Sequence, residues 1–109
     1  MTDEKKLKVL EDARKLLSEP TSWTKCAMAR TMGGIKCGER DPEAVCWCSL
    51  GAMVRVTDYL ESDVITELQK SCGGSVMAWN DEEGRTHEEV LDAFDRAIEA
   101  VRYRVENKQ

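Results

Sequence analysis

The chain has 109 residues, of which 41% are hydrophobic and 34% are charged, and its formal net charge is −5. This length suits one domain with a single core, and the composition is that of a folded protein rather than a disordered one. The negative charge argues against broad nucleic-acid binding, which needs clustered cations, and no apolar run is long enough to span a membrane.

The cysteines and the first residues of the chain bear on its location. There are five cysteines, an odd number, and the N-terminal residues include no apolar signal segment. Cysteines in a chain without an export signal are expected to remain reduced. We therefore expect a cytoplasmic protein with no structural disulfide and no cofactor.

The N-terminal third of the chain predicts a helix followed by a hairpin. Residues 3–18 have an apolar stripe at helical spacing, and Pro20 ends the pattern. Trp23 follows and should anchor the crossing to the next element. Residues 24–37 lack a helical period, but Gly33 and Gly34 separate two short segments, which predicts a small β-hairpin.

The middle of the chain predicts a central buried helix over residues 42–60. Asp41, Pro42 and Glu43 form a typical helix start, with a capping carboxylate, a proline at the first helical position and an acid near the helix dipole. Apolar side chains then cover most of the helical circumference, so other elements should surround this helix. Gly51 lies within it and is interpreted as a site of close packing.

The C-terminal half predicts two further helices and a short apolar turn. Ser62 should cap a third helix that ends at Gly73, and residues 76–79 should form a single buried turn. Thr86 and Glu89 have the spacing of a capping box at the start of the last helix. The buried stripe of that helix should consist of Val90, Ala93, Phe94, Ala97, Ile98 and Val101.

Together these elements predict a mainly α fold. The chain should form one small domain over residues 1–109, with four helices around the central buried helix and a short β-hairpin added between the first two.

The chain resembles a family of small uncharacterised bacterial and phage proteins, known as a domain of unknown function. The residues that carry the resemblance are residues 10–23, Ala44-Val45, Trp47-Cys48, Leu50-Gly51-Ala52, Trp79-Asn80-Asp81, Arg85-Thr86 and Val90. The resemblance implies no activity. It indicates only which positions to inspect for a site.

Two groups of residues could suggest a metal site, and both have a simpler interpretation. Cys46 and Cys48 are two residues apart and would point in different directions from a helix, so they are not expected to share an ion. The acidic residues around Asp81 and Glu88 do not have the spacing of a calcium loop and suit a helix N-terminus. We therefore expect no metal.

The strongest candidate for a binding site is the loop after Trp79. Asn80, Asp81, Arg85 and His87 bring an amide, a carboxylate, a guanidinium and an imidazole next to this large aromatic side chain. The competing interpretation is structural. In that case Asn80 ends a helical turn, Asp81 fixes the loop and Trp79 belongs to the core.

Three functional classes remain open at this point. The favoured hypothesis is a cytoplasmic ligand-binding or adaptor module without catalysis, whose partner is an unknown protein or small molecule rather than nucleic acid or membrane. The alternative is a thiol hydrolase using Cys48, His87 and Asn80, although Cys48 is expected two turns inside an apolar helix, which disfavours a reactive thiolate. The third is a homo-oligomeric structural protein; the sequence sets no oligomeric state.

Overall fold

In the computed structural model, which describes residues 1–108, three consecutive strands follow the first helix and precede the other four. The helices are α1 (Asp3–Leu16), α2 (Ser49–Arg55), α3 (Ser62–Cys72), α4 (Val76–Asp81) and α5 (His87–Glu106). The strands are β1 (Ala29–Thr31), β2 (Lys36–Cys37) and β3 (Ala44–Trp47), and a short 3-10 helix, Pro20–Ser22, precedes them. The fold is mixed α/β with a majority of helix, so the prediction of a mainly α, four-helix domain is wrong.

The central helix predicted over residues 42–60 is replaced by a strand and a short helix. The Asp41 side chain accepts a hydrogen bond from the Glu43 amide at 2.9 Å, and the Asp41 carbonyl accepts one from the Ala44 amide at 3.0 Å. The same residues that suit a helix start therefore close a turn. Strand β3 follows, and α2 ends well before Tyr59, whose side chain is exposed rather than buried.

The predicted hairpin is present and belongs to a three-stranded antiparallel sheet with the order β2-β1-β3. Residues 32–35 join β1 to β2. The Thr31 amide donates to the Ile35 carbonyl at 2.9 Å, so this pair encloses a three-residue loop of Met32, Gly33 and Gly34, and Gly34 has a φ of +81°. Its amide donates to the Thr31 carbonyl at 2.9 Å. Such loops place a residue in the left-handed region at their last position, which glycine adopts without strain.

The long helices supply most of the core, and the prediction for the last helix is confirmed. The Thr86 hydroxyl accepts from the Glu89 amide at 3.2 Å, and the Glu89 carboxylate accepts from the Thr86 amide at 2.9 Å, which completes the capping box. All six residues predicted for the buried stripe of α5 are buried. None of the helices in residues 1–108 has both the length and the apolar composition needed to cross a bilayer.

A buried carboxylate joins the three longest helices. Glu67 on α3 accepts from Lys6 of α1 at 3.0 Å and from Arg104 of α5 at 2.5 Å. Burial acts to raise the pKa of Glu67, but the hydrogen bonds from these two cations outweigh it and the pKa is lowered. Glu67 is therefore charged at neutral pH and fully paired, as a buried carboxylate must be.

Helix α2 lies close to the chain that enters the sheet, and Gly51 makes this approach possible. A Cβ atom at position 51 would overlap the Met28 carbonyl oxygen and lie 2.9 Å from its carbonyl carbon. The Met28 carbonyl also accepts from the Cys48 amide at 3.2 Å, which fixes the start of α2 against the same residue. The prediction that Gly51 is a site of close packing is confirmed.

Replacing Gly51 tests this contact. Gly51→Ala should destabilise the protein by about 1 to 3 kcal/mol because the methyl group displaces backbone, although alanine is the better helix former by about 1 kcal/mol. Denaturant unfolding measures the difference. The matched control is Gly74→Ala, where no atom lies within 4 Å of the added Cβ. Equal stability of the two variants would show that α2 does not pack on Met28.

Candidate functional site

Asn80, the central residue of the predicted site, is completely buried. Its side-chain oxygen accepts from the Trp23 indole N–H at 2.8 Å, from the Ser49 amide at 3.0 Å and from the Ser49 hydroxyl at 2.6 Å. Its side-chain nitrogen donates to the Thr24 carbonyl at 3.2 Å and to Asp81 at 2.9 Å. We call these five residues the Asn80 network. The amide of Asn80 is saturated by protein groups.

The end of α4 also fixes residues 24–26. Asp81 accepts from the Cys26 amide at 2.8 Å, and the Lys25 ammonium donates to the Glu82 carbonyl at 2.7 Å. Cys26 has a φ of +63°, a left-handed conformation that non-glycine residues adopt infrequently. The hydrogen bond that the Cys26 amide donates to Asp81 supports the backbone where it takes this conformation.

Arg30 extends these contacts to the hairpin loop. Its guanidinium donates to the Thr24 hydroxyl and the Lys25 carbonyl, each at 3.1 Å, and to the Gly34 carbonyl at 3.0 Å. One planar donor group thus joins the segment held by Asn80 to the loop of the hairpin. A continuous series of hydrogen bonds runs from Asn80 through Thr24 and Arg30 to Gly34.

The remaining predicted site residues lie on two different sides of this network. The Arg85 guanidinium is 4.2 Å from the centre of the Trp79 ring and donates to the Trp79 carbonyl at 2.9 Å. The same guanidinium pairs with Glu82 at 2.6 Å. His87 instead donates from Nε2 to the Leu17 carbonyl at 2.6 Å. Protein groups therefore already engage the polar side chains of Asn80, Asp81, Arg85 and His87.

One cleft in the surface lies away from these residues. It has a volume of about 510 Å³, in the range of small-molecule sites, and lies between α1 and residues 56–58. None of the five predicted residues lines it. Ligand binding by Trp79, Asn80, Asp81, Arg85 and His87 stays a prediction.

Cys48, the predicted nucleophile of the alternative hydrolase, lies at the N-cap of α2 and not two turns inside a helix. Its sulfur accepts from the Gly51 amide at 3.3 Å, and burial raises the pKa of the thiol. Within residues 1–108, no hydrogen bond connects this sulfur to His87, whose Nε2 is bound to Leu17. Asn80 contacts Ser49 rather than His87. The arrangement that activates a thiol is not formed by these three side chains.

The cysteines and acids do not gather into a metal site. The sulfur of Cys46 lies 3.8 Å from the Arg30 carbonyl, whereas that of Cys48 lies beside Gly51, so the two side chains point to different surroundings. In the part of the chain that the structure describes, no three His, Cys, Asp or Glu side chains are placed to hold one ion. All five cysteines are free.

Comparison with known proteins identifies the family. A model of a family of unknown function, DUF6197, matches residues 1–100. The chain belongs to this family. No curated protein and no solved structure matches it significantly.

Membership of DUF6197 confirms the resemblance to an uncharacterised domain family. The bacterial or phage origin and the positions of the recurring residues stay predictions. The match covers α1 to most of α5, so it includes both the Asn80 network and the hairpin.

The sequence pattern did not indicate which hairpin side chains are exposed or what they contact. The local pattern of residues 24–37 predicts a hairpin but neither the contacts of Arg30 nor the exposure of Met32 and Ile35, because exposure and distant contacts do not appear in a local pattern. One available signal was overlooked: residues 24–37 contain three cations and no acid, although the chain as a whole is acidic.

Substitution of Asn80 separates its structural contribution from a binding role. Asn80→Ala should destabilise the protein by about 3 kcal/mol, because the buried Ser49 donors and the half-buried Trp23 indole lose their acceptor. Thermal and denaturant unfolding measure the change. The control is Glu83→Ala, an exposed neighbour, which should stay within about 0.5 kcal/mol of the parent. If Asn80→Ala were as stable as the parent, the structural interpretation would fail and Asn80 would be a candidate for ligand binding.

Proposed function

We propose that this chain is a small protein-binding module without catalysis, and that its contact surface is the hairpin tip, residues 32–35. The observation that carries the proposal is the exposure of two large apolar side chains there. Met32 is 89% exposed and Ile35 is 68% exposed. Exposed apolar side chains grouped at one place mark interaction surfaces, whereas single scattered ones do not.

The sheet register explains why Ile35 is exposed. The Thr31 amide donates to the Ile35 carbonyl, and Thr31 also pairs with Ala44. This row of three residues lies on the same side of the sheet as Ala29 and Trp47, which are buried two rows further along. The core-facing side of the sheet thus continues past the helical body. A partner could bury Ile35 as the core buries Ala29.

The hairpin is also rigid enough to act as a contact element. Arg30 donates to the Gly34 carbonyl in the loop, and its other donors hold Thr24 and Lys25, which the end of α4 fixes in turn. A preorganised loop loses less conformational entropy when it binds. In this proposal Asn80 and Asp81 are positioning residues, and Met32 and Ile35 make the contact.

The absence of catalysis is part of the proposal and has separate support. Cys48 is 2% exposed, and a buried thiol with a raised pKa is a poor nucleophile at neutral pH. We further propose a cytoplasmic location, which the five free cysteines support because such thiols persist in reducing compartments.

Removing the apolar side chains should abolish binding and leave folding intact. The double substitution Met32→Ser and Ile35→Thr should change the free energy of unfolding by less than about 0.5 kcal/mol, because neither side chain packs in the core. Binding is measured by photo-crosslinking from position 35 in cells that express the chain. A defined protein adduct should form and should be lost when Met32→Ser is added.

The control places the same photo-crosslinker at Tyr103, which is 67% exposed on α5. Position 103 should yield no such adduct. If the double substitution destabilises the fold, or if both positions give the same adducts, the hairpin tip is not the contact surface.

A further inference from the structure

Positive charge is concentrated in the segment that contains the hairpin. Residues 24–37 include Lys25, Arg30 and Lys36 and no carboxylate, a local charge of +3. The rest of the chain consequently has a net charge of −8, against −5 for the whole. The hairpin is therefore a basic projection from an acidic body, and charge of this kind selects partners of the opposite sign.

These three cations form no ion pair in the part of the chain that the structure describes. Across residues 1–108, no salt bridge includes Lys25, Arg30 or Lys36, although cations on the helices pair repeatedly across α1 and α5. Lys25 and Arg30 donate to carbonyl and hydroxyl oxygens, which leave their charge uncompensated. Lys36 is exposed on β2. Its ammonium is free to meet a carboxylate from outside.

Strand β2 also has an open edge. Its only strand neighbour among the described residues is β1. Thr31 and Ile35 form a hydrogen-bonded pair, so the alternation of an antiparallel ladder turns the Lys36 N–H and C=O away from β1 and towards that edge. An extended segment can add there by main-chain hydrogen bonds.

Resting on the proposed function, we infer that the partner presents an extended acidic peptide segment, which adds to the edge of β2. One of its carboxylates lies beside Lys36, and its apolar side chains cover Ile35 and Met32. A second copy of this chain is a poorer occupant. A two-fold pairing centred on Lys36 would place Lys36 opposite Lys36, and directly opposed like charges destabilise a strand pair.

The test is selection from a displayed library of random linear peptides against the full chain. The selected peptides should be enriched in Asp and Glu next to large apolar residues. The best peptide is then compared with its amide isostere, in which each Asp is Asn and each Glu is Gln. The isostere should bind about tenfold more weakly to the parent protein, as should the acidic peptide to Lys36→Glu.

The matched control is Lys15→Glu, which makes the same change in net charge at an exposed, unpaired lysine on α1. It should bind the acidic peptide like the parent. Selected peptides that need Ile35 but show no acidic preference, or an equal loss in both charge variants, would overturn this inference and leave the proposed function standing.

Two further results are decisive. If no selected peptide depends on Ile35, both the inference and the proposed function fail. If the parent binds single- or double-stranded oligonucleotides instead, and Lys36→Glu abolishes that binding, the basic hairpin binds nucleic acid. The acidic-peptide inference is then wrong.

Discussion

The structure depends on one saturated side-chain oxygen. The side-chain oxygen of Asn80 accepts three hydrogen bonds. One comes from Trp23, before the sheet in the chain, and two come from Ser49, after it. An asparagine suits the position because it accepts and donates without a charge that would require a buried counter-ion. Without the Asn80 side chain, the donors of Trp23 and Ser49 would lack an acceptor, which costs about 1 to 3 kcal/mol for each buried donor. That is a large share of the stability of a small domain. The helical body and the sheet are joined at this residue.

The hydrogen bonds that begin at Asn80 also hold the hairpin, whose exposed tip does not pack in the core. The hairpin extends past the core, yet Arg30 connects its loop to Thr24, whose carbonyl is bound by Asn80. These hydrogen bonds therefore place exposed apolar and basic side chains in a fixed arrangement. The same arrangement accounts for the difference between the roles: Asn80 and Asp81 face inward, and Met32, Ile35 and Lys36 face outward.

The sequence predicted the elements whose signals are local and long. The capping box at Thr86 and the apolar stripe that follows it both specify α5 without help from distant residues. The glycine pair gave the hairpin loop for the same reason. Strand β3 was missed because four residues are too few to show a period, and its pairing with β1 is a tertiary contact. The signal at Asp41 and Pro42 fits a turn as well as a helix start.

The candidate site was located only in part. The chemical variety after Trp79 did mark residues with many internal contacts, since Asn80 and Asp81 bind residues 23–26 and Ser49, but polar variety serves internal hydrogen bonding as readily as ligand recognition. Burial decides between the two, and burial of Asn80 depends on contacts with residues that are far away in sequence. The exposure of Met32 could not be predicted from the sequence for the same reason.

The most direct test of this account is hydrogen exchange of the hairpin amides in Trp23→Phe, which removes one donor to Asn80 and keeps an apolar ring. The amides of Thr31 and Gly34 should exchange about tenfold faster than in the parent, since losing the hydrogen bond to Asn80 should lower the free energy of opening of the hairpin by about 1.4 kcal/mol. The control, Trp79→Phe, should leave these amides unchanged. Faster exchange confined to α4, with the hairpin amides as slow as in the parent, would contradict the claim that Asn80 holds the hairpin in place.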